Sequence, residues 1–172
     1  MPKSKDSKPE VEDIIGDVLS GEALKNASEL IAYLRQSKIN PLWSAENVWK
    51  ISYKGYSVCF IRLYGAAHYH CLEAGTWHIV PFIGEYDVHS LSDEYKEIVW
   101  ADKTDCPNCG KCALVISKVF GKKYNYACEK SIVFTNPDAK SVECVKKLIE
   151  LRRSDIKQGT AKKHQYIPMK LR

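Results

Sequence analysis

Apolar residues set the first structural reading. From Glu10 onward Val11, Ile14, Ile15, Val18 and Leu19 recur at the three-and-four spacing of a single helical face, and Gly21 stands where such a helix commonly stops. Leu24, Ala27, Ile31 and Leu34 form a second stripe, and Asn40-Pro41 closes it because the residue before a proline is pushed out of helical dihedrals. The pair predicts a helical hairpin. The period then changes to two: Trp49, Ile51 and Tyr53 alternate with Lys50 and Ser52, Lys54-Gly55 supplies a turn, and Tyr56 to Leu63 continues as a partner strand. A third strand is predicted over Thr76 to Ile83 (TWHIVPFI), with Pro81 marking an edge position or the strand's end.

Further along, Ser90 precedes a short helix with Asp93 in its first turn, a buried stripe of Leu91, Tyr95, Ile98 and Val99, and Trp100 closing it against the core. Ser131 to Phe134 reads as a short apolar strand. Asn136-Pro137-Asp138 then opens the last helix, with a cap-type residue, a proline in the first turn and an acid near the positive end of the helix dipole. Val142, Val145, Leu148 and Ile149 face inward, and the pattern is lost from Ser154 onward. The predicted class is α+β: an antiparallel sheet with an N-terminal helical hairpin, a cysteine-rich insertion and a closing C-terminal helix. Residues 1–9 have almost nothing to bury and are read as a disordered tail. Residues 10–153 form a single domain with a cysteine-rich segment at 105–130, and 154–172 form a basic tail.

Composition narrows the setting. A chain of 172 residues that is 45% apolar is of single-domain size and can bury a core without crosslinks. It lacks the run of roughly 20 apolar residues a membrane span needs, and MPKSKDSKPEVEDII lacks the apolar run of a secretory signal, so a cytoplasmic location is expected. The formal charge of +5 is unevenly placed: residues 140–172 carry ten Lys or Arg against Glu143, Glu150 and Asp155, which leaves the rest of the chain near −2. Basicity therefore belongs to the C-terminal helix and tail.

Seven cysteines in a chain read as cytoplasmic argue for metal ligation rather than a disulfide framework. Cys106-Pro-Asn-Cys109-Gly-Lys-Cys112 places three thiols at two-residue gaps, and Cys128 follows after fifteen residues. A C-x-x-C turn sets two sulfurs on one side of a tight loop, at the separation demanded by a tetrahedral ion with metal–sulfur bonds of about 2.3 Å. Pro107 pre-sets the turn and Gly110 permits the positive φ that aims backbone N–H groups at the sulfurs. The assigned ligands are Cys106, Cys109, Cys112 and Cys128, with zinc as the ion; His68, His70 or Cys71 is the alternative source of one ligand. Four thiolates leave no open coordination position, which points to a structural role. An iron–sulfur cluster is the competing cofactor at this spacing, although the fourth cysteine of the usual ferredoxin run is missing. CPNCG resembles the knuckles of zinc ribbons and rubredoxin-type loops over five residues, and departs from a ribbon in lacking a second C-x-x-C pair.

Other features have plainer readings. Cys59 alternates with apolar strand residues and Cys144 lies in the last helix, where a free cysteine acts as a small apolar side chain. Trp43, Trp49, Tyr53, Tyr56, Tyr64, Trp77 and Tyr86 cluster around the sheet, as core packing would have them. His78 falls in a strand and His89 just ahead of a helix, neither with an identifiable acid partner. There is no G-x-S-x-G, phosphate-binding or dinucleotide fingerprint and no evident carboxylate couple, so the balance is against an enzyme. The order of helical hairpin, Trp49 to Gly55 strand and turn, and closing Asn136 to Arg152 helix resembles small bacterial α+β proteins of the YjbR-type and frataxin-like kind. That resemblance implies an antiparallel sheet flanked by helices, with nucleic-acid contact or iron handling as associated roles. Three functional expectations follow: a non-catalytic zinc protein whose partner is a protein or small ligand, a nucleic-acid-associated regulator using the basic C-terminus, and a metal-dependent enzyme or carrier using His68, His70 and Cys71.

Overall fold

The structure, a computed structural model, describes residues 8–65, 73–82, 90–102, 117–124 and 132–161. Over these residues it is α+β. Helices α1 (Val11–Val18) and α2 (Gly21–Gln36) lead into strands β1 (Pro41–Ala45), β2 (Val48–Tyr53), β3 (Tyr56–Leu63) and β4 (Trp77–Pro81). Helix α3 (Asp93–Ala101), a small hairpin β5 (Ser117–Val119) and β6 (Lys122–Tyr124), strand β7 (Phe134–Thr135) and helix α4 (Ala139–Gln158) complete the order. The main sheet is antiparallel throughout, in the order β1-β2-β3-β4-β7.

Strand register explains where the core lies. Across the sheet Trp49 opposes Ile61, which opposes Ile79, which opposes Phe134; Leu63 opposes Trp77. All six are fully buried in the main core together with Val11, Leu30, Leu34, Val142, Val145 and Leu148 of the helices. The period of two that predicts each strand thus selects one face for the helices, and each large side chain taken from water contributes about 1.5–3 kcal/mol. The opposite face carries a second apolar cluster of Val48, Phe60, Val80 and Phe82, so both faces of the middle strands are buried. Arg62 and His78 are cross-strand neighbours, and the Arg62 guanidinium lies 5.8 Å from the centre of the Phe60 ring.

Several boundaries differ from the sequence reading. Gly21 does not stop α1; it starts α2 at φ 56, while α1 ends at Val18. Strand β1 had no period-two signal because PLWSA is a five-residue edge strand with a bulge between Trp43 and Ala45. Pro81 does end β4, beyond the two residue pairs that β7 makes. The cap of α3 is Ser92, whose side chain accepts from the Tyr95 N–H, not Ser90. The cap of α4 is Asp138, accepting from Ser141 N–H at 2.7 Å, and these bonds hold its carboxyl below the usual carboxylate range. Asn136 instead takes a left-handed conformation (φ 44) and its Oδ1 accepts the Trp77 N–H at 3.0 Å, tying β4 to the start of α4. Helix α4 continues through Ser154 to Gln158, burying Ile156, and Gly159 at φ 74 closes it in the left-handed conformation that favours glycine. Pro9, placed in the tail by composition, accepts a hydrogen bond from the Trp49 indole at 3.1 Å.

Candidate metal centre

Cys106, Cys109, Cys112 and Cys128 lie outside the described residues, as do His68, His70, Cys71, His89 and Tyr86. Described residues bracket the cysteine segment in sequence. Helix α3 ends at Ala101 with Asp102 as its C-cap, and the Asp102 carbonyl accepts the Val133 N–H at 3.3 Å, so the chain that leaves after Asp102 returns beside it at Val133. Cys106 follows Asp102 by four residues and Cys128 precedes Val133 by five. Between Cys112 and Cys128 stands the β5–β6 hairpin, in which Ser117 directly opposes Tyr124. Cys112 precedes Ser117 by five residues and Cys128 follows Tyr124 by four.

The hairpin itself is fixed by its tip. Phe120 and Gly121 both take positive φ, 45 and 88, as a two-residue turn between right-twisted strands requires. A left-handed conformation disfavours a bulky side chain, and burial of Phe120 and Val119 in the main core offsets that cost. Trp100 on α3 holds the hairpin from the side: its indole Nε1 donates to the Val119 carbonyl at 2.9 Å, and Lys122 Nζ lies 4.9 Å from the ring centre. Sequence reasoning passed over this hairpin. Its strands are only three residues long, and the Phe120-Gly121 pair between Val119 and Lys122 is the one turn signal available.

The His68, His70 and Cys71 loop springs from a different place. Tyr64 N–H donates to the Thr76 carbonyl at 3.1 Å, fixing the root of that loop beside Trp77. The Asp102–Val133 root adjoins Phe134, which pairs with Ile79, so a few residues of β4, roughly 10 Å, separate the two roots. Among the described residues no group of three or more His, Cys, Asp or Glu side chains could hold a metal ion.

The remaining thiols and charges are accounted for by packing. Cys59 and Cys144 are both buried; burial pushes the Cys59 thiol well up and the Cys144 thiol up to about 12, the latter helped by Asp102, so both stay protonated and unreactive. Burial likewise raises Asp102, with Asp138 opposing its ionisation. His78 is lowered to about 4 by burial and by Arg62, which makes it neutral at physiological pH. The cations of α4 are largely engaged within the molecule. Lys140 pairs with Glu94, Lys146 with Glu29 and Glu143, and Lys147 with Glu150. Arg152 is buried with its Nε directed at the Ser57 carbonyl, and Arg153 stacks over Tyr53. Three of the helix's cations, Lys140, Lys146 and Lys147, are thus paired with acids, two of which come from other elements.

Among the described residues no helix is long and apolar enough to cross a membrane. No family model matches the chain, and no match was found among curated proteins or solved structures.

Proposed function

We propose that this protein is a small zinc-binding protein in which Cys106, Cys109, Cys112 and Cys128 hold one structural ion, with a non-catalytic binding or regulatory role. The reading is supported by the cysteine spacing and by the Asp102–Val133 hydrogen bond, which brackets in sequence the segment that holds all four cysteines, while the Ser117–Tyr124 pair lies between Cys112 and Cys128. The donor set fits zinc, since four soft thiolates satisfy a tetrahedral ion completely. Such an ion would supply ordering, not an open coordination site. Ligand thiols must be deprotonated to bind, so zinc is released as the pH falls.

Elemental analysis of protein purified without added metal tests this directly. The expected result is one equivalent of zinc, lost in both Cys109→Ser and Cys128→Ser while the circular dichroism of the helices persists. Full zinc retention in either variant rejects the ligand set, and visible absorbance with bound iron assigns the site to a cluster instead. The same samples address His68, His70 and Cys71: alanine at these positions leaves the zinc in place if the four cysteines suffice. The alternative, a nucleic-acid-associated regulator, uses the basic C-terminal helix and tail; with Lys140, Lys146 and Lys147 paired within the molecule, it leans on Lys157 and on Lys162, Lys163, Lys170 and Arg172.

A further inference from the structure

Along α4 the paired lysines come first and the unpaired cations stand in the last turns. Arg153 and Lys157, one helical turn apart on the same face, have no acid partner among the described residues. Glu150, the acid one turn before Arg153, is taken by Lys147 at 2.8 Å, and Asp155 interacts with Arg152 and Thr160. The Arg153 guanidinium instead lies 5.0 Å from the centre of the Tyr53 ring, and its Nε has no hydrogen-bond partner among the described residues. Lys54 reaches the same ring from the β2–β3 turn, with its Nζ 5.8 Å from the ring centre. Residue 54 takes φ 47, a left-handed turn position that Asn or Gly fills at lower cost, and because Lys54 is exposed no burial offsets that cost.

Two like charges drawn to one ring repel each other, and an anion seated against both relieves that repulsion. We infer that the corner formed by Tyr53, Lys54, Arg153 and Lys157 is a contact surface for the phosphate backbone of a nucleic-acid strand. The inference is independent of the zinc reading; it rests on the nucleic-acid alternative and adds to it a structured site ahead of the tail. Its layout favours a strand over a single small anion, because the cations are spread over a turn and two successive turns of helix and so meet a ligand whose charges repeat. The Arg153 fork can take a phosphate in bidentate fashion with its flat face still on Tyr53, while Lys54 and Lys157 act as point charges. Contacts of this kind do not read bases, so binding is independent of sequence and falls steeply with salt.

Fluorescence anisotropy of a labelled oligothymidine of about 20 nucleotides, titrated with the full-length protein from about 50 mM salt upward, tests the inference. Lys54→Gln and Arg153→Gln are each expected to weaken binding about three- to tenfold and to lower the slope of log affinity against log salt by about one, a readout that lost packing on Tyr53 does not move. Lys140→Gln removes the same charge from the paired end of α4 and is expected to change affinity by less than about twofold. Parental affinity and slope in Lys54→Gln, or in a folded Arg153→Gln, overturns the inference and leaves any binding to Lys162, Lys163, Lys170 and Arg172, so that the nucleic-acid alternative survives without this site. An equal loss in Lys140→Gln also overturns it, since net charge alone would then account for binding. Displacement of the oligonucleotide by polyglutamate as readily as by unlabelled strand reassigns the corner to an acidic polypeptide, and no binding by the parent at about 50 mM salt ends both this inference and the nucleic-acid alternative.

Discussion

Two of the hairpins among the described residues, β2–β3 and β5–β6, turn through the same kind of residue pair, a left-handed side chain followed by a left-handed glycine: Lys54-Gly55 in one and Phe120-Gly121 in the other. In the β2–β3 hairpin the turn is exposed and the strands are long, and Trp49, Ile51, Cys59 and Ile61 are buried along the arms. In the β5–β6 hairpin the arms are three residues each, and Val119 and Phe120 at the turn are buried. The first is held by its length and presents its tip to water; the second is held by its tip. Similar turn chemistry can therefore stand in water in one place and in the core in another, and the side chain before the glycine, Lys or Phe, distinguishes them.

Substitutions that separate the two regimes should differ in size. The largest effect is expected in the packed body: Trp77→Ala removes a fully buried indole and should cost about 3–5 kcal/mol in urea unfolding. Next, Asn136→Ala loses the bond to the Trp77 N–H and forces alanine into a left-handed conformation, for an expected loss of about 1–3 kcal/mol. Cys128→Ser should invert the pattern, removing the zinc completely while shifting the unfolding of the main sheet and helices by less than about 1 kcal/mol. A loss of several kcal/mol there would show that the body depends on the ion and would erase the contrast drawn above.

A pH effect should be smaller and confined to the body. The folded-state pKa of His78 lies near 4, below its ordinary value of 6.5, so the unfolded chain takes up the proton first. Its contribution to stability is complete above pH 6.5, drains away between 6.5 and about 4, and is absent below. His78→Asn should flatten the fall of stability over that window in chelator-treated protein, where thiol protonation at the metal plays no part. An unchanged slope would mean that His78 is protonated in the folded state. Least of all, Lys147→Ala breaks only an exposed pair with Glu150 and should move stability by no more than about 0.5 kcal/mol.

What could be read from the sequence follows from how strongly each segment repeats. Long periodic stretches gave α2, β2, β3 and the inward face of α4, because burial of one face leaves a period in the residues themselves. Short elements escaped. Strand β1 is an edge with a bulge, and β5–β6 has too few residues for any period to register. Cap residues were displaced by two positions at both α3 and α4, since Ser90 and Asn136 are chemically as suitable as Ser92 and Asp138 and only backbone geometry chooses between them. The positive charge of the C-terminal helix was legible as a count but not as a field: Glu29 and Glu94, which neutralise Lys146 and Lys140, come from distant elements. The donor set that spacing suggests, Cys106, Cys109, Cys112 and Cys128, lies outside the described residues, whereas the contact of Trp100 with Val119 required the folded chain.

The hydrogen bond between Asp102 and Val133 has a consequence for the covalent chain. Everything after it, β7 and α4, is fastened to the rest of the molecule by the β4 ladder and by helix packing against α2, α3 and the sheet. A single peptide bond severed between residues 103 and 116 would give two polypeptides with the sheet and the helix layer still assembled from both. Such a nicked protein is expected to elute as one species under native conditions and to separate only in denaturant; two species under native conditions would show that the stretch holds the halves together.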